Sequence, residues 1–309
     1  MTGLRRRLVS LLPRLGLDVI DVCPGTALVS RRKDVEVTEV SRRAWLVTRA
    51  APGVQHLDLA PGADLVVHAG EARQHLGDVQ RKLYRFLTPE HVAWMLRKYG
   101  VNCVFDVGAN IGQYGLALRR AGYAGRIASF EPLPHLVERL LEVADPDPEW
   151  YVYPVALGSE DTDTEMHVVS GTMSSLLPPS EFGSRRYKRF RAMESEKVPV
   201  RRLDGILDEL LDGIEHPRPY LKLDTQGFDL EVFHGLGHRA AELVGLQSEV
   251  ALLQIYQGMP RLPQALEIYE AAGFEVTGMF PVSREERTGR VIEFDCVMMR
   301  PDALERKAR

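Results

Sequence analysis

The chain alternates short apolar runs with amphipathic segments from about residue 85 to about residue 300. Short apolar runs bounded by turn residues predict buried strands, and apolar positions three and four residues apart predict helices. The predicted strands are NCVFDVG, RIASFEP, WYVYPVAL, YLKLDTQG, LVGLQSEVALL, FEVTGMF and RVIEFDCVMM, and the predicted helices are IGQYGLALRRAG, LPHLVERLLEVA, DLEVFHGL and RLPQALEIYEAAG. The alternation predicts an α/β fold with a doubly wound, mostly parallel sheet. Only a loop joins the last two strands, which predicts an antiparallel C-terminal strand.

A helix start signal precedes the first of these strands. In FLTPEHVAWMLRKYG, Thr88 suits an N-cap, Pro89 suits the first helical position and Gly100 suits the C-terminal stop. The pattern therefore predicts a helix from about 89 to 99 that leads into the strand NCVFDVG.

Changes of pattern divide the chain into regions. Residues 1–85 lack a clean period and carry short β-like pieces, which predicts an N-terminal extension of mixed structure that serves as a substrate cover or a dimer contact. Residues 86–300 form the main domain, and residues 301–309 form a tail. Residues 159–200 interrupt the alternation with a polar, basic and Pro-bearing segment, which predicts a lid, a binding loop or a disordered insertion.

Composition narrows the class of protein. The 309 residues are 45% apolar and 27% charged, as in ordinary globular proteins. The net charge of -4 gives no sign of nucleic-acid binding, which usually shows as a basic surplus. Cys23, Cys103 and Cys296 are too widely spaced for a disulfide framework or a zinc site, which suits a cytoplasmic protein.

Two features of the sequence bear on membranes. No apolar run reaches the roughly 18 residues of a membrane span. The start of the chain, MTGLRRRLVSLLPRLGLDVI, has Arg14 and Asp18 inside its apolar middle and no small-residue cleavage site after it, which argues against a signal peptide. It predicts a basic amphipathic helix that packs on its own protein or rests on a membrane surface.

The stretch VFDVGANIGQYG joins a buried-looking strand to a glycine-spaced turn, as in nucleotide-binding proteins. A dinucleotide fingerprint is G-x-G-x-x-G, whereas this turn has Gly108, Gly112 and Gly115, with Asn110 in the place of the second glycine. Asp106 precedes the turn, where an acid would repel a pyrophosphate and would suit the cationic amino group of S-adenosylmethionine. The turn therefore favours S-adenosylmethionine over a nicotinamide dinucleotide.

A second acid follows the next predicted strand. Glu131 lies 19 residues after Gly112, where an acid accepts hydrogen bonds from ribose hydroxyls. Proteins that bind either of the two cofactors share this feature, so it indicates a ribose without choosing between them. Helix capping is the alternative role for Asp106 and Glu131.

Polar side chains also mark two later strands. In YLKLD, Lys222 and Asp224 lie on one face, and in the neighbouring strand Gln247 and Glu249 share a face. A lysine in a central strand is costly unless it is paired. We expect Lys222, Asp224 and Glu249 to form one buried charge network, which is either a structural ion pair or a site that orients a substrate and accepts its proton.

Taken together, these motifs resemble the FkbM-type family of S-adenosylmethionine-dependent methyltransferases. The resemblance covers roughly residues 85 to 300, and its motifs are VFDVGANIGQYG, SFEP, VALGS, SSLLPPS, LKLDTQGFDLEVFHG, LQSEV and EFDC, in the family's order. It implies a Rossmann-like methyltransferase sheet and O-methylation, commonly of sugars or natural products. The family often has Glu where this chain has Gln226, so a catalytic role does not carry over to that position.

The resemblance also implies roles for single residues. Asp106, Gly108, Asn110 and Gly112 would line the methionine part of the cofactor, Glu131 would hold the ribose, Ala156 and Leu157 would lie near the adenine, Asp224 and Glu249 would face the acceptor, and Ser174, Ser175, Gln226 and Tyr256 would lie on the substrate side.

Methylation of a hydroxyl group requires that its proton be removed. We expect Asp224 to accept the proton, with Glu249 as second candidate and Lys222 as their charge partner; His167 is a remote alternative. The two carboxylates could instead bind a divalent metal that lowers the pKa of the alcohol, but no His ligand is obviously placed, and no metal is predicted.

The expected function is therefore O-methylation of a small molecule, with a sugar of a glycosylated natural product or a glycolipid as first choice of acceptor. Three alternatives stay open: a nicotinamide-dependent oxidoreductase, a non-catalytic nucleotide-binding module and, last, a nucleic-acid methyltransferase. A homodimer is possible on this sequence.

Overall fold

The computed structural model describes residues 18–23, 26–30, 35–41, 44–49, 54–60, 63–285 and 287–307. The chain divides into two compact units, Met1–Gln80 and Arg81–Arg309. Residues 1–17 of the predicted basic helix lie outside the described residues, and Asp18 begins a strand. None of the described helices is long and apolar enough to cross a membrane.

The first unit contains six described strands. Its described strands form three antiparallel hairpins. They are β1 (Asp18–Cys23), β2 (Thr26–Ser30), β3 (Val35–Ser41), β4 (Ala44–Arg49), β5 (Val54–Ala60) and β6 (Ala63–His68), which pair β1 with β2, β3 with β4 and β5 with β6. Helix α1 (Ala69–Gln74) follows them.

The rest of the described chain alternates strands and helices. The strands are β7 (Cys103–Val107), β8 (Arg126–Phe130), β9 (Trp150–Tyr153), β10 (Ala156–Leu157), β11 (Thr162–Val168), β12 (Glu194–Arg201), β13 (Pro219–Leu223), β14 (Gly245–Ala251), β15 (Glu275–Arg284) and β16 (Val291–Met299). The helices are α2 (Leu76–Tyr99), α3 (Gln113–Arg120), α4 (Pro134–Ala144), α5 (Glu181–Arg186), α6 (Leu203–Leu211), α7 (Asp229–His234), α8 (Leu262–Ala271) and α9 (Asp302–Lys307).

Seven of the described strands form one sheet in the order β15-β16-β14-β13-β7-β8-β9. Strands β9, β8, β7, β13 and β14 are parallel, and β16 runs antiparallel to both β14 and β15. The predicted Rossmann-like sheet with an antiparallel C-terminal strand is confirmed. From β7 the chain proceeds outward to β8 and β9, and it returns to β13 on the other side of β7. The carboxyl ends of β7 and β13 are therefore the switch point, where ligands bind in such sheets.

The central strands are buried on both faces, as the two layers of helices require. Every residue of β7 and of β13 is buried. Phe105 and Leu221 belong to the core on one face, while Val104 and Tyr220 belong to the core on the other. This division follows the period of two along each strand.

Helix α2 begins earlier than its sequence predicts. It starts at Leu76, so Pro89 lies inside the helix and not at its first position. The Thr88 hydroxyl, expected to cap the helix, donates instead to the Tyr84 carbonyl at 2.8 Å within it. The buried residues of α2 all lie between Val92 and Tyr99. That packed C-terminal part carries the amphipathic signal, which explains why the pattern located the end of the helix and missed its start.

The insertion is an ordered part of the described chain. Strands β11 and β12 pair antiparallel, and β12 pairs with β10 to form a three-stranded sheet in the order β10-β12-β11. Helix α5 lies between β11 and β12, and the Ser180 hydroxyl caps it by accepting from the Gly183 N–H at 2.9 Å. Of the three forms expected for this segment, a disordered insertion is wrong.

Candidate functional site

A cleft opens at the carboxyl ends of β7, β8 and β13, at the switch point of the sheet. One wall comes from the insertion through Met166, Thr172, Ser174 and Leu176. The other lining residues are Val107, Gly108, Asn110, Gln113, Phe130, Glu131, Pro132, Leu133, Leu136, Ala156, Leu157, Asp224, Thr225, Gln226 and Phe228. The cleft thus brings together eight of the predicted site residues: Gly108, Asn110, Glu131, Ala156, Leu157, Ser174, Asp224 and Gln226.

Gly108 allows β7 and β13 to end side by side. Its φ is +77°, and a Cβ at this position would lie 2.1 Å from the carbonyl oxygen of Asp224. The Gly108 N–H donates to the Phe130 carbonyl at 3.0 Å, which ties the turn to the end of β8. A side chain here would separate the strand ends that form the floor of the cleft.

Asn110 replaces the glycine expected in a dinucleotide turn and adopts the same left-handed backbone, with φ of 51°. Asparagine tolerates this conformation better than most residues because its side chain bonds to the local backbone. Its Oδ1 accepts from the Ile111 N–H at 3.0 Å, and its own N–H donates to Glu131 Oε2 at 2.9 Å. The hydrogen bond from the Asn110 N–H therefore fixes the turn to the Glu131 carboxyl group.

Glu131 presents a buried carboxyl group to the cleft, with only 4% of the residue exposed. Its other oxygen, Oε1, accepts from the Leu133 N–H at 3.1 Å. Burial raises the pKa of Glu131 to about 7, and the two backbone N–H donors oppose that rise. A carboxyl held this way retains lone pairs for neutral hydroxyl donors, as a ribose would supply.

Gly112 does not line the cleft; it serves the packing of α3. A Cβ on Gly112 would lie 2.9 Å from the Leu140 side chain, and a Cβ on Gly115 would lie 2.3 Å from the Trp150 ring. These two glycines let α3 approach α4 and β9. Gly112 was expected to line the methionine part of the cofactor, but in the structure it packs against Leu140 and does not line the cleft.

Asp106 is fully buried and does not line the cleft. Lys222 Nζ lies 3.0 Å from Asp106 Oδ1 and 3.5 Å from Asp224 Oδ2, so it bridges the two carboxylates. Burial alone would lower the pKa of Lys222, but the carboxylates of Asp106 and Asp224 outweigh it and raise this pKa. Lys222 is therefore a charged ammonium group. Of the three residues expected to form one buried charge network, Lys222 and Asp224 are in contact, but Asp224 is 41% exposed and Glu249 is joined to it only through the Gln226 amide.

The network continues across the sheet through Tyr114, Gln247 and Asp295, of which only Gln247 was singled out from the sequence. The Lys222 ammonium lies 5.1 Å from the centre of the Tyr114 ring, a cation–π contact. The Tyr114 hydroxyl donates to Gln247 Oε1 at 3.1 Å, and Gln247 Nε2 donates to Asp295 Oδ1 at 3.0 Å. Tyr114 lies inside the glycine turn motif, in which the glycines were considered from the sequence and Tyr114 was not. Asp295 shares a strand face with Glu293 in EFDC, a period-two signal that was available in the sequence.

Gln226 holds the two candidate bases in place. Its Nε2 donates to Asp224 Oδ1 at 3.0 Å and to Glu249 Oε2 at 3.1 Å, and its Oε1 accepts from the Tyr256 hydroxyl at 3.0 Å. Its backbone is left-handed, with φ of 55°. The Ser175 hydroxyl donates to the Gln226 carbonyl at 2.8 Å. Ser175, Tyr256 and Glu249 thus lie behind Gln226, outside the lining of the cleft.

Acidic groups accumulate behind the cleft on the face of β14 and β16. Burial raises the pKa of Glu249 well above its ordinary value, with Glu293 and Asp224 adding to the shift. Burial raises the pKa of Glu293 to about 7 and that of Asp295 to about 6. Asp224 is the most open of this group, with 41% of its side chain exposed. Asp224 is therefore the carboxylate that a ligand in the cleft reaches first.

Asp229 anchors the loop that carries Asp224 and Gln226, and sequence reasoning missed it as well. Its Oδ1 accepts from the N–H and the hydroxyl of Thr225, and its Oδ2 accepts from the Ser248 hydroxyl at 2.7 Å and the Glu249 N–H at 3.1 Å. A buried carboxylate with four donors is satisfied. In the sequence it resembled an ordinary acid at the start of a helix.

His167 lies on β11, where its backbone pairs with that of Ser175. It is not among the residues that line the cleft. Among the described residues, no three His, Cys, Asp or Glu side chains are arranged to hold a metal ion.

The side chains of the cleft fit S-adenosylmethionine. The part formed by Leu133, Leu136, Ala156 and Leu157 is apolar, as a flat adenine base requires. Glu131 stands at the end of β8, where it would accept from ribose hydroxyls, and the carboxylate of Asp224 suits the neighbourhood of a cation. Among the described residues that line the cleft, none has a basic side chain to receive a pyrophosphate.

Comparison with known proteins supports this interpretation. Residues 106–276, more than half of the chain, match the family described as the methyltransferase FkbM domain, so the resemblance inferred from the motifs is confirmed. No curated protein sequence matches the chain.

Two solved structures illustrate the likeness of fold. Magnesium protoporphyrin IX methyltransferase from Synechocystis PCC 6803, with bound SAM, is 12% identical at a TM-score of 0.40, and the match covers 72% of this chain and 82% of that one. The 1,6-didemethyltoxoflavin-N1-methyltransferase of Burkholderia thailandensis, bound to 1,6-didemethyltoxoflavin and S-adenosylhomocysteine, is 12% identical at a TM-score of 0.34, over 86% of this chain and 99% of that one. Likenesses at this level carry no information about the acceptor.

Proposed function

We propose that this chain, which belongs to the FkbM methyltransferase family and uses S-adenosylmethionine as its methyl donor, transfers the methyl group to a hydroxyl of a small molecule. The first acceptor to expect is a sugar of a glycosylated natural product or of a glycolipid. The observation that carries the proposal is Asp224, a partly exposed carboxylate on the wall of the cleft, held from behind by Lys222 and Gln226.

Asp224 is suited to remove the proton of an alcohol. S-adenosylmethionine, when bound, supplies a methyl group on a positively charged sulfur; the acceptor oxygen forms the new C–O bond as the C–S bond breaks and its electron pair stays on sulfur. Asp224 takes up the hydroxyl proton. Because Gln226 fixes Oδ1 and Lys222 faces Oδ2, the carboxylate is held in one orientation toward the cleft.

Glu249 is the second candidate base. Because it lies behind Gln226, we assign it a supporting role. Burial raises the pKa of Glu249 well above its ordinary value, so Glu249 tends to keep its proton. It accepts from Gln226 Nε2, so it fixes the amide that orients Asp224. The Lys222 ammonium group supplies the positive charge that offsets the carboxylates of Asp106 and Asp224.

The remaining site residues divide between the two ligands. Glu131 holds the ribose, Gly108 and Asn110 face the methionine part, and Ala156 and Leu157 flank the adenine. Asp106 and Gly112 support this half without lining the cleft. Ser174 and Gln226 line the acceptor half, and Ser175 and Tyr256 support it from behind Gln226. A homodimer and a cytoplasmic location stay predictions.

The experiment uses S-adenosylmethionine carrying a ¹³C-labelled methyl group and a panel of sugars, nucleotide sugars and glycosides. Carbon–proton correlation NMR of the product distinguishes a methyl group on oxygen from one on nitrogen or carbon. We expect an O-methyl product, and we expect Asp224→Asn to lower kcat by about 10²–10⁴-fold while S-adenosylhomocysteine still binds. Asp163→Asn, at an exposed carboxylate of β11, is the matched control and keeps full activity.

An N-methyl or C-methyl product would refute the proposal that the acceptor atom is a hydroxyl oxygen. Full turnover in Asp224→Asn, with an O-methyl product, would refute the role of Asp224 and shift the proton to Glu249.

A further inference from the structure

The insertion carries a run of positive charge that the methyl transfer itself does not use. Between Glu181 and Glu194 the chain has five basic residues and no acidic one, although the whole protein has a net charge of -4. Arg185 pairs with Glu181 at 2.9 Å. The other four, Arg186, Lys188, Arg189 and Arg191, are called the basic ridge below.

The basic ridge lacks compensating charge. All four of its side chains are exposed, and within residues 73–285 and 287–305 none of them forms an ion pair with a carboxylate. Like charges held this close repel one another, and an anion bound among them relieves the repulsion. The ridge is therefore a surface on which an anionic group would be stabilised.

A continuous groove joins the basic ridge to the cofactor cleft. The cleft shares four lining residues with a neighbouring groove: Asn110, Leu136, Thr172 and Ser174. That groove shares Ser170 and Gly171 with a hollow whose other lining residues are Arg186, Tyr187, Lys188 and Arg189. A molecule with one end in the cleft can therefore extend along the insertion to the ridge.

The hollow is shaped around Arg189. Gly171 has φ of +96°, and a Cβ there would lie 2.9 Å from Arg189 Nη1. The same nitrogen donates to the Ser170 carbonyl at 3.4 Å, which leaves the other donors of the guanidinium group for a ligand. The neighbouring groove is lined by the exposed residues His135 and Arg139, together with one exposed acid, Glu194.

The basic ridge is also packed against the acceptor half of the site. Phe190 lies inside the ridge segment with 8% exposure, and its ring meets the Tyr256 ring edge-on at 5.6 Å. The Tyr256 hydroxyl in turn donates to Gln226 Oε1, which belongs to the amide that orients Asp224. The position of the ridge is thus fixed relative to the candidate base.

We propose that the acceptor carries a phosphate or pyrophosphate group, which Arg186, Lys188 and Arg189 bind while its hydroxyl lies at Asp224. This inference rests on the proposed function and names the substrate class of the same site. Guanidinium groups bind phosphate oxygens through paired hydrogen bonds, and lysine adds a point charge. The phosphate would come from a sugar linked to a nucleoside diphosphate or from a lipid-linked sugar phosphate.

The test measures anion binding to the full chain saturated with S-adenosylhomocysteine. Calorimetry with pyrophosphate and with UDP-glucose is carried out on the wild type, on Arg186→Ala/Arg189→Ala and on Arg185→Ala, the neighbouring arginine already paired with Glu181. We expect the wild type to bind, the double variant to bind at least about tenfold more weakly, and Arg185→Ala to stay within about twofold. Equal binding by the double variant and the wild type would overturn the proposal.

A second arm identifies the source of the phosphate. Flotation with phosphatidylcholine vesicles, with and without phosphatidic acid, reports lipid phosphate. Binding to the acidic vesicles that is lost in the double variant and kept in Arg185→Ala supports the proposal with a lipid-linked acceptor. Equal loss in both variants would show general surface attraction and overturn it, as would the absence of binding to every phosphate probe.

Two different results separate a failure of the proposed function from a failure of phosphate binding. If the wild type does not bind S-adenosylhomocysteine, the proposed function is contradicted. If it binds S-adenosylhomocysteine but no phosphate probe, only the present inference is contradicted.

Discussion

Replacing Lys222 by methionine removes the ammonium group at the centre of the buried network and keeps most of the side-chain volume. Asp106 then stays fully buried without its counter-ion, which was 3.0 Å away. Removing one partner of a buried ion pair costs about 3–5 kcal/mol, because the remaining charge is desolvated and unpaired. Over a unit of roughly 230 residues this lowers the melting temperature by about 6–10 °C.

A double-mutant cycle separates this pair from general damage. In Lys222→Met/Asp106→Asn the Asp106 charge is removed together with its counter-ion, so we expect the double variant to be more stable than the sum of the single losses implies, by at least about 2 kcal/mol. Lys197→Met is the matched control, because Lys197 is 72% exposed and lies 3.7 Å from Asp163; its loss costs less than about 1 kcal/mol.

The assay is urea unfolding at neutral pH, followed by circular dichroism. The pKa of Lys222 is raised in the folded protein, so the contribution of the pair is complete below the ordinary lysine value of about 10.4 and is lost only as the pH rises through the raised value. Additive losses within about 0.5 kcal/mol, or a loss below about 1 kcal/mol in Lys222→Met, would refute the reasoning.

Three further predictions follow from single contacts. The pKa of Glu131 is raised to about 7, so S-adenosylhomocysteine affinity falls by about tenfold per pH unit below pH 7 as the ribose-accepting carboxylate is protonated, and Glu131→Gln removes this dependence in calorimetry. Gly108→Ala costs more than about 3 kcal/mol in thermal unfolding, because its methyl group meets the Asp224 carbonyl at 2.1 Å, whereas Gly205→Ala, with nothing within 4 Å, is neutral or stabilising. Tyr256→Phe lowers kcat and leaves the melting temperature within about 3 °C, since only the hydrogen bonds of its hydroxyl to Gln226 Oε1 and to the Met173 carbonyl are lost.

Each of these predictions has a contrary outcome. Affinity for S-adenosylhomocysteine that is independent of pH would contradict the part assigned to Glu131. Equal melting temperatures for Gly108→Ala and Gly205→Ala would contradict the close approach of β7 and β13. An unchanged kcat in Tyr256→Phe would contradict the orientation of Gln226 by its partners.

The alternation of strands and helices along the chain and the acids at the strand ends were predictable from the sequence, because both follow from local patterns. The period of two put Lys222 and Asp224 on one face, and the structure joins them at 3.5 Å. The spacing between Gly112 and Glu131 placed an acid at the end of the second strand, where Glu131 lies. Such features depend on residues close together in the chain.

The features that the sequence did not predict depend on contacts between residues that are far apart in the chain. Asp106 was assigned to the cofactor, but the partner that covers it is Lys222, 116 residues later in the chain. Asp229 resembled a helix-start acid, although it binds backbone and side chains of two separate segments. The early start of α2 was missed because its first turns are exposed, so they carry no amphipathic pattern.

The central claim is that the cleft at the ends of β7, β8 and β13 binds the methyl donor, and calorimetric titration with S-adenosylhomocysteine at pH 8 tests it most directly. The wild type should bind one equivalent, Glu131→Gln should bind at least about tenfold more weakly, and Glu165→Gln, at an exposed carboxylate of β11, should bind like the wild type. NAD should not bind. Equal affinity in the wild type and Glu131→Gln, or stoichiometric binding of NAD, would contradict the account.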